Sequence, residues 1–138
     1  MVELSNVKAF VLGGNATITV QNGDSAPHFT YKIIRCKDND NLYFIHSLRG
    51  PDNENDYTYI GCYYDDSEYF HVAKRYANSP SYTWPNSARL MLYVLKNLEH
   101  KPESLKIYHE GKCARCGRKL TTPESITSGF GPECIKFI

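Results

Sequence analysis

Apolar and polar residues alternate with a period of about two along the first two thirds of the chain, which is typical of strands that bury one face. Pairs such as Gly13-Gly14 and Asn22-Gly23 separate the apolar runs and indicate turns. The sequence therefore predicts an antiparallel β-meander of about five or six strands. The predicted strands are residues 7–12, 16–20, 28–36, 42–48, 57–64 and 69–74.

The apolar period then changes to about 3.6, which predicts a helix that begins near Asn86 and is terminated by Pro102. A short alternating strand at 105–109 follows and leads directly into a group of cysteines. The predicted fold class is α+β: an antiparallel β-meander packed on one main helix, with a C-terminal treble-clef-like zinc knuckle. We expect a β-rich domain at 1–104 and the knuckle, packed on it, at 105–138. The helix buries one apolar stripe, formed by Leu90, Met91, Val94, Leu95 and Leu98.

The chain contains five cysteines, and an odd number in a sequence that begins without a secretory signal pattern does not indicate a disulfide framework. Cys36 and Cys62 stand alone among aromatic and β-branched residues, so we interpret them as buried thiols. Cys113, Cys116 and Cys134 fall within the last 26 residues. A Cys-x-x-Cys pair directs two sulfurs toward one ion, which predicts one structural Zn²⁺.

Structural zinc takes four ligands, and these three cysteines leave one to be found. His109 is the favoured candidate, because it ends the predicted strand four positions before Cys113. Cys36, Cys62 or another histidine of the main domain is the alternative, and a water ligand would permit a catalytic site. A redox thiol pair is a further alternative. Metal is expected because about thirty residues bury too little apolar surface to offset the entropy lost on ordering.

Positive charge is concentrated in the last part of the chain. Residues 101–138 carry seven Lys or Arg against four Glu, whereas residues 1–100 carry nine against eleven acidic residues. Arg115, Arg118 and Lys119 would project from the knuckle and contact phosphates in a nucleic-acid reader. Alternatively, they form a solvated basic surface that offsets the charge of the thiolates.

Aromatic residues offer a second candidate surface for a partner. Tyr57 and Tyr59 lie in a predicted strand, where one face is core and the other could stack the bases of a single-stranded nucleic acid. Trp84 lies in a Pro-flanked loop and is either a lid on the helix or an exposed anchor for a protein partner.

The tail GKCARCGRKLTTPESITSGFGPEC closely resembles the signature CxxCGRxLTxPxSxxxGxGPxC of uncharacterised accessory proteins from phages, prophages and mobile elements. Upstream segments such as HFTYKI and RGPDNENDYTYIG are also similar to that group. The resemblance implies a zinc-binding phage-type accessory protein and brings no established activity. The matching positions are Cys113, Cys116, Gly117, Arg118, Leu120, Thr121, Pro123, Ser125, Gly129, Gly131, Pro132 and Cys134.

Two functions are consistent with these patterns. The first is a non-enzymatic nucleic-acid-binding module. The second is a protein-binding inhibitor or modulator of host defence or nucleic-acid machinery, of the anti-CRISPR or anti-restriction type. An enzyme, such as a metal-dependent hydrolase, is disfavoured because the sequence lacks a phosphate-cradling glycine loop and a His-Glu-x-x-His motif. Without a long apolar run, we expect no membrane partner and a place in the cytoplasm of a bacterial host; the oligomeric state is left open.

Overall fold

The computed structural model describes residues 2–4, 6–52 and 54–137 of the 138-residue chain. Its strands are β1 (Val2–Glu3), β2 (Asn15–Asn22), β3 (His28–Cys36), β4 (Asn39–Leu48), β5 (Tyr57–Tyr64), β6 (Tyr69–Val72) and β7 (Leu105–His109). Within the described residues these form one antiparallel sheet in the order β1-β7-β2-β3-β4-β5-β6. The predicted α+β class with an antiparallel meander is confirmed, because β2 to β6 pair in sequence order.

The helices of the described chain are α1 (Val7–Val11), α2 (Asn86–Lys96) and α3 (Pro123–Ser128), with 3₁₀ turns at Lys74–Tyr76, Ser81–Thr83 and Cys134–Phe137. One main helix was expected; α2 is the longest, but two shorter helices accompany it. None of the helices in the described ranges is long and apolar enough to span a membrane.

The prediction of a strand at 7–12 is wrong, because these residues form α1. The side chain of Asn6 accepts a hydrogen bond from the amide of Ala9 at 3.2 Å and so caps the helix start. Val7, Phe10 and Val11 then share one buried face at helical spacing. In so short a segment the two periods cannot be distinguished.

Other predicted elements agree closely with the structure. Strands at 28–36, 57–64 and 105–109 have the predicted bounds, while β4 begins earlier than predicted and β6 ends earlier. The helix α2 ends at Lys96, before it reaches Pro102. Asn97 leaves the helical conformation, and its side-chain amide donates to the carbonyl oxygen of Tyr93 at 2.8 Å, which satisfies an acceptor of the last turn.

Strand β7, which we expected to open the knuckle segment, lies inside the sheet. It pairs with β1 on one side and with β2 on the other, where Ile18 lies opposite His109. The cysteine-rich tail therefore continues directly from an interior strand. The division of the chain into units at 1–104 and 105–138 stays a prediction, and the sheet shares β7 with the second unit.

The two faces of the sheet differ in what covers them. On the core face the side chains of Ile18, Tyr31, Ile33 and Ile45 are fully buried, and the Tyr31 hydroxyl donates to the carbonyl oxygen of Ser87 in α2 at 2.6 Å. The opposite face, called the outer face below, carries half-buried or exposed side chains of the alternate positions. On β3 to β6 these are Lys32, Ile34, Phe44, His46, Tyr57, Tyr59, Cys62, Tyr64, Tyr69 and His71.

A β-bulge in β5 determines which of its aromatic residues reach the outer face. The register shifts between Ile45 and His46, so that Tyr59 lies opposite His46 and Gly61 lies opposite Ile45. A Cβ at Gly61 would lie 2.6 Å from an atom of the Phe70 ring. The core therefore leaves no room for a larger residue at position 61. The register shift places Tyr57 and Tyr59 on the outer face together with Cys62 and Tyr64.

Candidate functional site

The cysteine-rich tail packs against the corner between α1 and β2. The amide of Asn15 donates to the carbonyl oxygen of Ala114 at 2.6 Å, and the amide of Ala114 donates to Gly129 at 3.0 Å. A Cβ at Gly13 would lie 2.9 Å from the Cβ of Ala114, so the two chain segments are in close contact. This packing buries Cys113 completely beside the end of the sheet.

A tight turn directs the first two cysteines toward each other. The amide of Cys113 donates to Arg118 at 2.8 Å, and the amide of Gly117 donates to Cys113 at 2.8 Å. Gly117 has φ of 79°, a left-handed conformation that glycine adopts at low cost. The motif Cys-x-x-Cys-Gly therefore forms a tight turn, which is the local conformation that the sequence predicts.

The third cysteine completes a compact cluster. Cys134 begins the last 3₁₀ turn, and its sulfur and those of Cys113 and Cys116 all lie within 4.8 Å of one another. Cys113 and Cys134 are buried, whereas Cys116 is exposed. The prediction that these three cysteines form one possible metal site is confirmed.

The sulfur of Cys113 is surrounded by backbone donors. The amides of Arg115, Cys116 and Gly131 point at it from 3.4, 3.5 and 3.4 Å. Burial raises the pKa of this thiol, but the three amides lower it by more, to about 7. The site thus stabilises a thiolate, the form of cysteine that binds metal.

Arg115 contacts the cluster directly. Its Nη1 donates to the sulfur of Cys134 at 3.6 Å, and its guanidinium lies 4.1 Å from the ring centroid of Phe137. This donor lowers the pKa of Cys134. Burial and the two neighbouring thiols together raise that pKa by more, so the net pKa of Cys134 is above its ordinary value. Three sulfurs this close cannot all ionise without a cation between them, so the cluster suits a metal ion.

Comparison with models of known protein families finds a match in this tail. Residues 105–136 match the model of DUF6011, a family of unknown function. Neither the curated proteins nor the solved structures gave a match. The DUF6011 segment comprises β7, the three cysteines and α3, so the likeness coincides with the candidate metal centre.

The donor set fits zinc, since three thiolates are a common part of structural zinc sites. His109, predicted as the fourth ligand, is placed elsewhere within the DUF6011 segment. Its Nδ1 accepts from the amide of Gly111 at 3.0 Å, and its Nε2 lies 2.7 Å from the carbonyl oxygen of Ile126, to which it donates. Among the described residues, the ligand atoms that lie close enough together to share one metal ion are the sulfurs of the three cysteines, and the nitrogens of His109 are not among them.

The physical reason is the alternation of β7. Leu105, Ile107 and His109 all point to the core face, so the imidazole is fully buried, with its ring centroid 5.4 Å from that of Phe10. His109 therefore connects β7 to α3, and the geometry does not support its assignment as a ligand. The isolated Cys36 and Cys62 are half-buried rather than buried. Cys62 belongs to the outer face, and Cys36 follows a register irregularity at the end of β3.

The other predicted residues of the tail border a cleft beside the cysteines. Arg118 and Lys119 are exposed, and both line a cavity of about 320 Å³ together with the three sulfur-bearing residues and Glu133. These two cations are therefore accessible to a partner. Arg115 is exposed as well, but its guanidinium contacts Cys134 and Phe137 and does not line this cavity.

The predicted aromatic contacts separate into two groups. Tyr57 and Tyr59 lie on the outer face, where the Nζ of Lys32 is 4.3 Å from the ring centroid of Tyr57. Trp84 packs toward the core instead, 6.2 Å from the ring of Phe70, and its indole nitrogen donates to Ser79 at 3.2 Å. Trp84 is thus a lid on the core. Among the described residues, no hydrogen bond, ring contact or cation–π contact joins Tyr57 or Tyr59 to Arg118 or Lys119.

Sequence reasoning missed four aromatic or imidazole side chains of the outer face, which are Phe44, His46, Tyr69 and His71. The ring of Tyr59 is 5.4 Å from His46 and 6.4 Å from Phe44, and the ring of His71 is 5.4 Å from Tyr64 and 4.4 Å from Tyr69. The period of two along β4 and β6 would have found them once the core positions were known. Burial lowers the pKa of His46, as does Lys32, which favours a neutral ring.

Proposed function

We propose that Cys113, Cys116 and Cys134 hold one structural zinc ion and that the tail is a treble-clef-like knuckle. The cluster of sulfurs and the amides aimed at Cys113 support this proposal. Zinc contributes roughly 10–16 kcal/mol of apparent binding free energy in small zinc-finger peptides, enough to order a tail of this length. The fourth ligand of this structural site is then a group other than His109, such as a donor from a bound partner.

We further propose that the protein is a non-enzymatic module that binds single-stranded nucleic acid on its outer face. The observation that carries this proposal is the set of aromatic rings on three adjacent strands, with His46, Tyr59 and Phe44 in one group and Tyr64, Tyr69 and His71 in another. The helix contacts described above lie on the core face, so these rings remain available for stacking.

Cations accompany the rings, as a phosphate backbone requires. Lys32 lies over Tyr57, and Arg75 donates from Nη2 to the carbonyl oxygen of Tyr59 at 2.7 Å. Arg75 and Lys74 line a cavity of about 910 Å³ together with Tyr59, Tyr64 and His71, and Asp66 is an acidic residue of the same cavity. Stacking contributes about 1–3 kcal/mol per base and requires unpaired bases, which favours a single strand over a duplex.

The phage-type assignment and the bacterial cytoplasm rest on the resemblance of the tail and are part of this proposal. The exposed Arg118 and Lys119 support a second contact with phosphates. We assign no catalytic step to the zinc, because the site that we propose is closed by four ligands and leaves no open position for a substrate.

Fluorescence anisotropy tests the proposal directly. The zinc-loaded protein is titrated into labelled single- and double-stranded DNA and RNA over a salt series. We expect micromolar binding of single strands that weakens with salt. A Tyr59→Ala/Tyr64→Ala variant should bind at least tenfold more weakly, whereas Tyr82→Ala, which removes an aromatic residue that is 76% exposed away from the outer face, should not. No binding at low salt would overturn the proposal.

The alternative is a protein-binding inhibitor or modulator of host defence or nucleic-acid machinery. Its specific support is the exposure of Tyr82 and Phe137, of which 76% and 68% are accessible. These two side chains suit a protein contact better than a stack of bases, because among the described residues neither ring packs against another aromatic ring. Failure of every nucleic acid to bind would favour this alternative.

A further inference from the structure

A separate cleft lies where α2 begins, at the ends of β3 and β4. It has a volume of about 650 Å³ and is remote from the cysteines. Its polar lining is formed by His28, Thr30, Arg49, Asn86 and Ser87. Nothing in the zinc proposal uses these residues.

The first backbone donors of α2 are left without acceptors at this cleft. Pro85 stands at the N-cap position and has no side-chain acceptor, and its carbonyl oxygen accepts the amides of Ala88 and Arg89 at 3.0 and 3.1 Å. Within the described residues, the amides of Asn86 and Ser87 have no acceptor. The first turn contains no acidic residue, so the partial positive charge of this 11-residue helix is not offset.

Two side chains add to the unpaired donors. Ser87 is only 3% exposed, and its hydroxyl has no hydrogen-bond partner in the described structure, which is an unusual state for a buried polar group. Arg49 is exposed and has no ion pair among the described residues.

Two acidic side chains of the loop after Gly50 bond to that loop's own backbone, and the Asp56 carboxylate lies beside Gly50 of the cleft lining. The carboxylate of Asp56 accepts from the amide of Asp52 at 2.8 Å, and the carboxylate of Asp52 accepts from the amides of Glu54 and Asn55. Neither aspartate lines the cleft. The residues that line the cleft therefore offer hydrogen-bond donors and the charge of Arg49, and no carboxylate is among them, which is the character of an anion site.

We propose that this cleft binds a phosphate group. The amides of Asn86 and Ser87, the Ser87 hydroxyl and the Arg49 guanidinium would each donate to a phosphate oxygen, an arrangement that suits helix N-termini. Leu48, at the mouth of the cleft, pairs with Tyr57 of the outer face. A phosphate held here would belong to a strand stacked on that face; this identification rests on the proposed function, whereas the phosphate site does not.

Amide chemical shifts of the zinc-loaded, full-length protein test the site. Inorganic phosphate, a nucleoside 5′-monophosphate and a single-stranded oligonucleotide are titrated separately, each at an ionic strength matched with chloride. We expect saturable shifts at Asn86 and Ser87 with the first two ligands. Arg49→Ala should weaken phosphate binding about tenfold, because it removes the only full charge among the proposed donors.

The matched control is Arg89→Ala, on the same helix, because Arg89 lines a different cleft with Tyr82 and Tyr93. The phosphate site would be overturned if Arg89→Ala weakened phosphate binding as much as Arg49→Ala does. It would also be overturned if phosphate caused no saturable shift at Asn86 and Ser87. Phosphate binding without oligonucleotide binding supports the site and refutes the nucleic-acid function. Oligonucleotide binding without the phosphate shifts refutes the site and leaves that function standing.

Discussion

Replacing His109 with alanine separates a packing role from a metal-binding role. The imidazole is fully buried and bonds through both nitrogens, to Gly111 in the turn after β7 and to Ile126 in α3. Each bond contributes about 1 kcal/mol, and leaving a buried partner unsatisfied costs about 1–3 kcal/mol. The lost contact with the Phe10 ring adds a cavity term. We therefore expect a loss of about 3–4 kcal/mol, within the range of large-to-alanine changes in protein cores.

Urea unfolding measures this loss, with Trp84, the only tryptophan, reporting on the core through its contact with Phe70. With a slope of about 1.5–2 kcal/mol/M, the midpoint should fall by about 2 M. Zinc content, measured by mass spectrometry after gel filtration, should stay at one ion per chain. His100→Ala is the control, because that histidine is exposed and its loss should change neither quantity.

Two outcomes would refute the reasoning about His109. Loss of zinc from a variant that keeps the circular dichroism of the folded sheet would make His109 a ligand. An unchanged midpoint would show that its two hydrogen bonds do not hold the tail against β7.

Two more substitutions test the metal centre. Cys113→Ser should abolish stoichiometric zinc binding and disorder the tail while the sheet remains folded, and zinc content and amide spectra measure these two effects. The control is Cys62→Ser, half-buried on the outer face, which should keep one zinc ion per chain. Zinc retained by Cys113→Ser would contradict the ligand assignment. Gly117→Ala should lower stability by about 1–2 kcal/mol in thermal unfolding, because φ is 79° and the new Cβ would lie 2.7 Å from Nδ2 of Asn15; an unchanged melting temperature would be evidence against this account. Gly23→Ala, with φ of 102° and open space around it, isolates the conformational cost from the steric one.

The strands were predictable where the period of two extends over many residues. The segment 57–64 shows this, because its β-branched and aromatic residues have no competing helical pattern. The segment 7–12 is too short for its period to be read, and the cap by Asn6 decides for a helix. The position of β7 was not predictable, because pairing with β1 and β2 depends on contacts between distant parts of the chain.

The candidate site was predictable where it depends on local chain geometry and not where it depends on the sheet. The spacing of Cys113 and Cys116 fixes a local turn, so their approach follows from sequence alone. The distance along the chain from His109 to Cys113 suggested a fourth ligand, but a strand directs alternate side chains to opposite faces. In β7 the side chain of His109 points to the core face together with that of Ile107. Ligand prediction from spacing therefore fails where a regular strand separates the candidate from the turn.

The position of β7 also constrains how zinc affects the proposed binding surface. The tail continues from β7, and β2 and β3 lie between β7 and the strands β4 to β6 that carry the aromatic rings. Disorder of the tail would therefore release Arg118 and Lys119 without displacing Tyr59 or Tyr64. Binding that survives metal removal must come from the outer face, and the part that is lost must come from the tail. Measuring binding with and without zinc therefore separates the contribution of the outer face from that of Arg118 and Lys119 in the tail.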